Sequence, residues 1–156
     1  MILRGFHPTD RRWLIERHRA LYAQEFGFTS DFGISIADKL DAFLAREDPS
    51  KRLWIAEDDG QRIGSIALSD RNGTAFLNFV LLEPSARGHG FGHHLMQTAL
   101  DHARTKGFTQ ATLETYSCLI AARALYRAHG FTISETDPGW HRFGQSFDRE
   151  FWQADL

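Results

Sequence analysis

The chain has 156 residues, of which 42% are hydrophobic and 13% aromatic, enough for one domain, residues 1–156, with a core of its own. Its formal net charge of −2 gives no basic surplus, which argues against nucleic acid or an anionic membrane as a partner, and no apolar run is long enough to span a bilayer. The start, MILRGFHPTDRR, lacks the continuous apolar segment of a signal peptide, and one cysteine cannot make an internal disulfide, so a cytoplasmic location is expected.

Ile2 to Phe6 reads as a short strand. Thr9 or Asp10, after Pro8, caps a helix that runs to about Phe26 and stops at Gly27. Trp13, Leu14, Arg17, Leu21 and Glu25 recur at helical spacing, while Arg11, Arg12, Arg17, His18 and Arg19 make the helix basic, which reads as a solvated face. Asp31 to Ser35 reads as a connection, and Ser35 caps a second helix through about Arg46 with Ile36, Leu40, Phe43 and Leu44 inward. Leu53 to Glu57 and Arg62 to Ser69 are strands joined by Asp58-Asp59-Gly60-Gln61, and Arg71-Asn72-Gly73 turns the chain into a third strand, Thr74 to Leu82. The next helix carries Leu95, Met96, Ala99, Leu100 and Ala103 on one face and ends at Lys106-Gly107. Gln110 to Thr115 follows as a strand reached through a crossover helix, hence parallel to the strand before the helix. Ala121 to His129 is a further helix, Phe131 to Glu135 a strand, Asp137-Pro138-Gly139 a turn, and Gln145 to Gln153 the last strand. The fold expected is α/β: a mixed, mostly antiparallel sheet with a central parallel pair and helices on both faces. Phe147, Phe151 and Trp152 in the last strand suit a homodimer interface or the core.

Between the third strand and the helix behind it lies Arg87-Gly88-His89-Gly90-Phe91-Gly92. A glycine in a helix costs up to about 1 kcal/mol against alanine, so three at alternate positions across a helix start point to an anion site, the other reading being a tight strand-to-helix turn. Bare backbone admits a ligand closely, successive N–H groups form a nest, and the helix dipole favours negative charge. The dinucleotide fingerprint would need a third glycine where His93 stands, which argues against a nucleotide-binding oxidoreductase, and the spacing of a P-loop is absent. Ligands in open α/β sheets bind at the carboxyl ends of parallel strands, here just after Leu82 and just after Thr115.

The pattern Arg-x-x-Gly-x-Gly, as Arg87, Gly90 and Gly92, resembles the acyl-coenzyme A pyrophosphate loop of the GNAT superfamily of acetyltransferases. Ala122-Arg123-Ala124-Leu125-Tyr126-Arg127-Ala128-His129-Gly130-Phe131 is similar to that superfamily's A-x-x-L-Y-x-x-x-G-F segment, in the right order and spacing. Over nearly the whole chain the resemblance is to the acetyltransferase half of bacterial proteins in which a MarR-type regulator precedes a GNAT domain. Leu21–Gly27, Leu53–Gly64 and Phe143–Leu156 carry it beside the two motifs.

The resemblance implies an N-acetyltransferase that moves the acetyl group of acetyl-CoA directly to a primary amine of a small molecule or peptide. The two parallel strands splay apart at the cofactor site. Main-chain groups of Leu81 and Leu82 hold the pantetheine arm and the tetrahedral oxyanion, while Arg87, Gly88, His89, Gly90, Phe91 and Gly92 take the pyrophosphate. Tyr126 matches the tyrosine that protonates the departing thiolate; the other reading of Tyr126 is a half-buried aromatic on an amphipathic helix. Tyr22 and Glu25 lie in the part of the chain that walls the acceptor site.

The base is left open. Asn78 stands where some members place a glutamate and cannot take up a proton usefully, so it either orients substrate or satisfies a neighbouring backbone group. Glu114 and Glu25 are the candidate carboxylates, with Glu114 preferred for its place near a strand's carboxyl end; the other reading of each is a solvated or ion-paired glutamate. Leu119 replaces an asparagine that bonds the pantetheine arm in many members. Cys118 has no His/Asp arrangement and reads as a small filler, and the eight histidines show no metal-ligand spacing, so no metal is expected. The missing base leaves a second function in view: a non-catalytic acyl-CoA sensor or regulatory module.

Overall fold

A computed structural model describes all 156 residues. Its strands are β1 (Ile2–Gly5), β2 (Arg52–Asp58), β3 (Gln61–Arg71), β4 (Thr74–Leu82), β5 (Gln110–Tyr116), β6 (Thr132–Arg142) and β7 (Gln145–Asp155). The helices are α1 (Arg11–Phe26), α2 (Asp31–Ala45), α3 (Phe91–Thr105) and α4 (Ile120–Ala128). The strands form a seven-stranded sheet in the order β1-β2-β3-β4-β5-β7-β6, antiparallel throughout except for β4 against β5. No helix is long and apolar enough to cross a membrane.

Local chemistry sets the corners. Asp59-Gly60 and Asn72-Gly73 both take positive φ at each residue, the geometry that tightens a two-residue hairpin, and Gly27 ends α1 in the left-handed region with its N–H returned to the carbonyl of Ala23. Two expectations need correction. Helix α2 begins at Asp31, so the predicted connection is its first turn, and that turn buries Phe32. Asp137-Pro138-Gly139 lies inside β6 as an irregularity of the β6–β7 ladder, where the Gly139 N–H donates to the Asp148 carboxylate at 3.1 Å. The hairpin turns instead at Phe143-Gly144, again with positive φ at both residues.

Side chains alternate across the sheet, so each face has its own core. Under α1 and α2 pack Leu14, Phe32, Ile36, Leu40, Phe79 and Phe147; under α3 and α4 pack Leu95, Met96, Ala99, Leu113, Tyr126 and Trp152. Phe147 and Trp152 of the last strand are thus core residues. Helix α1 is less of an open basic face than its composition suggests. Arg11 pairs with Asp41, Arg19 with Glu16, and Arg17 holds Glu83 through two hydrogen bonds, one of 2.9 Å. His18 is buried at 2% exposure. Beneath the helix start, buried Asp10 accepts from Arg4 and Arg62 at 2.8 Å, tying α1 to β1 and β3.

Candidate active site

Strands β4 and β5 pair at only two positions, Ala75 with Ala111 and Phe76 with Thr112. Beyond Phe76 the edge of β4 that faces β5 has no strand partner, so the parallel pair splays as expected and leaves main-chain polar groups free for a ligand. A bulge widens the opening. Ser65 pairs with Leu81 and Ala67 with Asn78, so Phe79 and Val80 together stand opposite Ile66. Phe79 is pushed to φ 51°, a conformation that a bulky residue adopts only when its surroundings impose it. Its peptide groups are pinned on both sides: the N–H donates to Asn78 Oδ1 at 2.8 Å, and the carbonyl accepts from the Ser65 hydroxyl at 2.6 Å. Asn78 therefore spends its oxygen on a neighbouring backbone group, one of the two roles open to it from the sequence.

A cavity of about 330 Å³ fills the opening. Its wall includes Phe32, Ile36 and Phe79 from the core under α1 and α2, and Leu77 and Tyr126 from the core on the opposite face. A single cavity bounded by both cores must pass through the sheet, and it does so where β4 and β5 part. Of the predicted site residues, Tyr22, Asn78, Glu114 and Tyr126 meet on this wall.

Tyr126 is 5% exposed, its hydroxyl bonds to no protein group yet is not sealed from the cavity, and burial raises its pKa, which keeps the proton on the oxygen. Tyr22 stacks on Phe32 at 4.3 Å, and burial raises its pKa too. Burial pushes Tyr116, on the same wall, up to about 12. Glu114 sits 3.3 Å from the Arg71 guanidinium. Leu119 lines the cavity with an apolar side chain, and Cys118 is half-buried beside the α1/α2 core with its thiol pKa raised by desolvation.

The glycine loop lies behind Leu82, on the approach to α3. Gly88 and Gly90 have φ of 81° and 77° with open space where a Cβ would stand, so their absence of side chain serves the backbone turn and leaves the surface bare. Gly92 lies inside α3, where an added Cβ would make ordinary contact with Leu125 of α4 at 3.5 Å. The first main-chain N–H here to find a main-chain acceptor is that of His94, on Gly90, so the N–H groups from Gly88 to His93 remain free at the positive end of α3. His89 and Phe91 flank the loop with ring centroids 5.6 Å apart. Leu81 is buried, and the Leu82 carbonyl accepts from Arg87 Nε at 3.2 Å. The other end of the Arg87 guanidinium lies 2.8 Å from Glu25. Glu25 is thus a partner of the loop and stands apart from the cavity wall that holds Tyr22 and Glu114.

Two residues on the cavity escaped the sequence reading in this role. His18 Nδ1–H donates to the Leu14 carbonyl at 2.8 Å, which fixes the proton on Nδ1 and leaves Nε2 as an open acceptor. Burial pushes its pKa down to about 4, so the ring is neutral at pH 7 and adds nothing to the basic face predicted for α1. Lys39, on α2, reaches the same wall. No cluster of three or more His, Cys, Asp or Glu side chains could hold a metal ion.

The chain is similar to several known proteins. It is 32% identical over 136 residues to the Escherichia coli (strain K12) protein called uncharacterized N-acetyltransferase YjgM, covering 80% of this chain and 81% of that one. It spans about half the length of other curated relatives. Among solved structures, a ribosomal-protein-alanine N-acetyltransferase from Brucella melitensis superposes with a TM-score of 0.81 at 20% identity over 100% of both chains. The Salmonella typhimurium protein yncA, described as a putative acetyltransferase with its cofactor acetyl-CoA, gives 0.73 at 20% identity over 100% of this chain and 94% of that one. The description of the Acetyltransferase (GNAT) family matches residues 12–131, and with the splayed strands, the bare glycine loop and the tyrosine on the cavity it shows that this chain belongs to that family.

Proposed function

We propose that residues 1–156 act as one acetyltransferase domain that moves the acetyl group of acetyl-CoA directly to a primary amine, with no acyl-enzyme on the way. The observation that carries this reading is the cavity through the sheet at the parting of β4 and β5, with a nest of free N–H groups on its approach. Family membership supplies the donor: acetyl-CoA is the co-substrate. Its pyrophosphate takes the N–H groups from Gly88 to Gly92 together with Arg87, and its pantetheine arm takes the free edge of β4 at Leu81 and Leu82.

In the reaction the uncharged amine attacks the thioester carbonyl and the new N–C bond forms. Main-chain N–H groups near Leu82 stabilise the oxyanion, the C–S bond breaks, and Tyr126 gives its proton to the thiolate. The proton shed by the nitrogen leaves through Glu114, directly or by way of water, and restores the tyrosine. The resemblance of Leu21–Gly27, Leu53–Gly64 and Phe143–Leu156 supports a position near the acetyltransferase half of the MarR-type regulator fusions, and a cytoplasmic location suits that reading.

Calorimetric titration with acetyl-CoA and with NAD, on the intact chain and on Gly90→Glu, tests the donor assignment. Binding of acetyl-CoA alone, lost in the variant, is expected. A folded protein that binds no acetyl-CoA overturns the reading; one that binds acetyl-CoA but releases no coenzyme A across an amine panel is a sensor.

A further inference from the structure

The α1/α2 side of the cavity is charged in one sense. Its wall carries three cations, Lys39, Arg46 and Arg71, against a single carboxylate, Glu114. In a chain whose formal net charge is −2 this concentration of positive charge is local. On α2 the residues facing the cavity are Phe32, Ile36, Lys39, Ala42 and Phe43, one stripe of a helix, and Arg46 follows at its C-cap. Lys39 interrupts the apolar part of that stripe.

The three cations differ in what engages them. Arg71 lies over the ring of Phe76 at 3.5 Å and 3.3 Å from Glu114, and Arg46 donates to the Asp70 carbonyl. Lys39 has no ion pair and no hydrogen bond within the protein. Lys39 is solvent-exposed on the cavity wall, where Arg71 and Arg46 stand with it and Glu114 is the one carboxylate; partial desolvation, with Arg142, Arg71 and Arg149 acting against Glu114, lowers its pKa. Arg149, the more distant cation, is itself paired with Asp137 at 3.1 Å. An unpaired, solvent-accessible ammonium beside other cations on a cavity wall is placed to bind an anionic group of a ligand.

We propose that the acceptor is a small amine that also carries an anionic group such as a carboxylate, held by Lys39 with Arg71, while its amine lies toward Glu114 and the opening between β4 and β5. The assignment rests on the acetyltransferase reading above. The rest of the wall selects the body of this acceptor: Phe32, Phe43, Phe76 and Tyr116 offer aromatic surface for an apolar side chain.

The test uses matched acceptors that differ only in the anion: apolar amino acids such as L-phenylalanine and L-leucine against the corresponding decarboxylated amines and carboxamides, with coenzyme A release as the readout. The wild-type chain is expected to favour the acids in kcat/KM. In Lys39→Met the ratio of acid to amine falls about ten- to a hundredfold, the effect of losing a charge-assisted hydrogen bond, and Lys39→Arg restores part of it. Equal or better use of the decarboxylated amines by the wild type, or an unchanged ratio in Lys39→Met, overturns the proposal. Binding of acetyl-CoA without transfer to either member of any pair instead overturns the acetyltransferase reading, and the proposal with it.

Discussion

Arg87 of the glycine loop and Glu25 near the end of α1 lie 2.8 Å apart, so the cation that the sequence assigns to a pyrophosphate is held by a carboxylate of the protein. An anionic ligand must compete for that guanidinium. The pair is partly exposed, which limits its worth to about 0.2–1 kcal/mol. Glu25→Gln is therefore expected to tighten acetyl-CoA binding, by up to about fivefold, in calorimetric titration at low salt, and Arg87→Ala to weaken it. Weaker binding by Glu25→Gln would instead show that Glu25 positions Arg87 for the ligand.

Tyr126→Phe removes the proposed acid while keeping the ring in its core. A fall in kcat of about a hundredfold or more is expected with acetyl-CoA affinity unchanged. Because burial raises the pKa of this hydroxyl, its proton stays in place as pH rises to the ordinary tyrosine value of about 10. The wild-type rate should accordingly show no loss from Tyr126 across the neutral and mildly alkaline range. A variant that turns over normally would remove Tyr126 from the mechanism.

Ser65→Ala leaves the Phe79 carbonyl without its hydroxyl donor at a buried position. The expected cost is about 1–3 kcal/mol in denaturant unfolding. A rise in the KM for acetyl-CoA should accompany it if, as proposed, the pantetheine arm pairs with the edge that the bulge shapes. Loss of stability with an unchanged KM would mean that the bulge holds its shape without Ser65.

His18 gives a pH signature. Its folded pKa is about 4 against an ordinary 6.5, so the unfolded chain binds the proton first as pH falls. The stability held by the neutral ring is complete above 6.5 and is lost between 6.5 and about 4, amounting to about 3 kcal/mol at full protonation. Asp10, lowered from 3.8 to about 2 by its arginines and the His7 N–H against the opposing effect of burial, contributes in a lower window. Comparing urea midpoints of the wild type and His18→Gln at pH 7 and pH 4.5 isolates the effect. Parallel pH dependences in the two proteins would contradict it.

The parts legible in the sequence are those where a residue type is forced by its own backbone. Asn72-Gly73, Gly27 and the glycines of the loop each announced a turn or an open surface that the structure contains. Pro138-Gly139 announced a turn and delivered an irregularity inside β6, because cross-strand pairing with β7 continues past it. The start of α2 was hidden because Gly33 and two aromatic residues nearby blur the helical pattern. The insertion of β7 between β5 and β6 is a long-range pairing with no local mark. His18 is unreadable because a polar residue on a helix reads as solvated, and Lys39, which is solvent-exposed, is placed on the cavity only by the opening of the sheet. A heptad-like stripe in which Lys39 stands between Ile36 and Phe43 was the one available signal.

The two residue pairs that join β4 to β5 also make the sheet a seam between two half-sheets, one built from residues before the glycine loop and one from residues after it. A ligand that pairs along the open edge of β4 would act as the missing strand and stitch the halves together. Acetyl-CoA would then be a structural member as well as a reagent, slowing amide exchange along β4 from Leu77 to Leu82 and making the two halves melt as one.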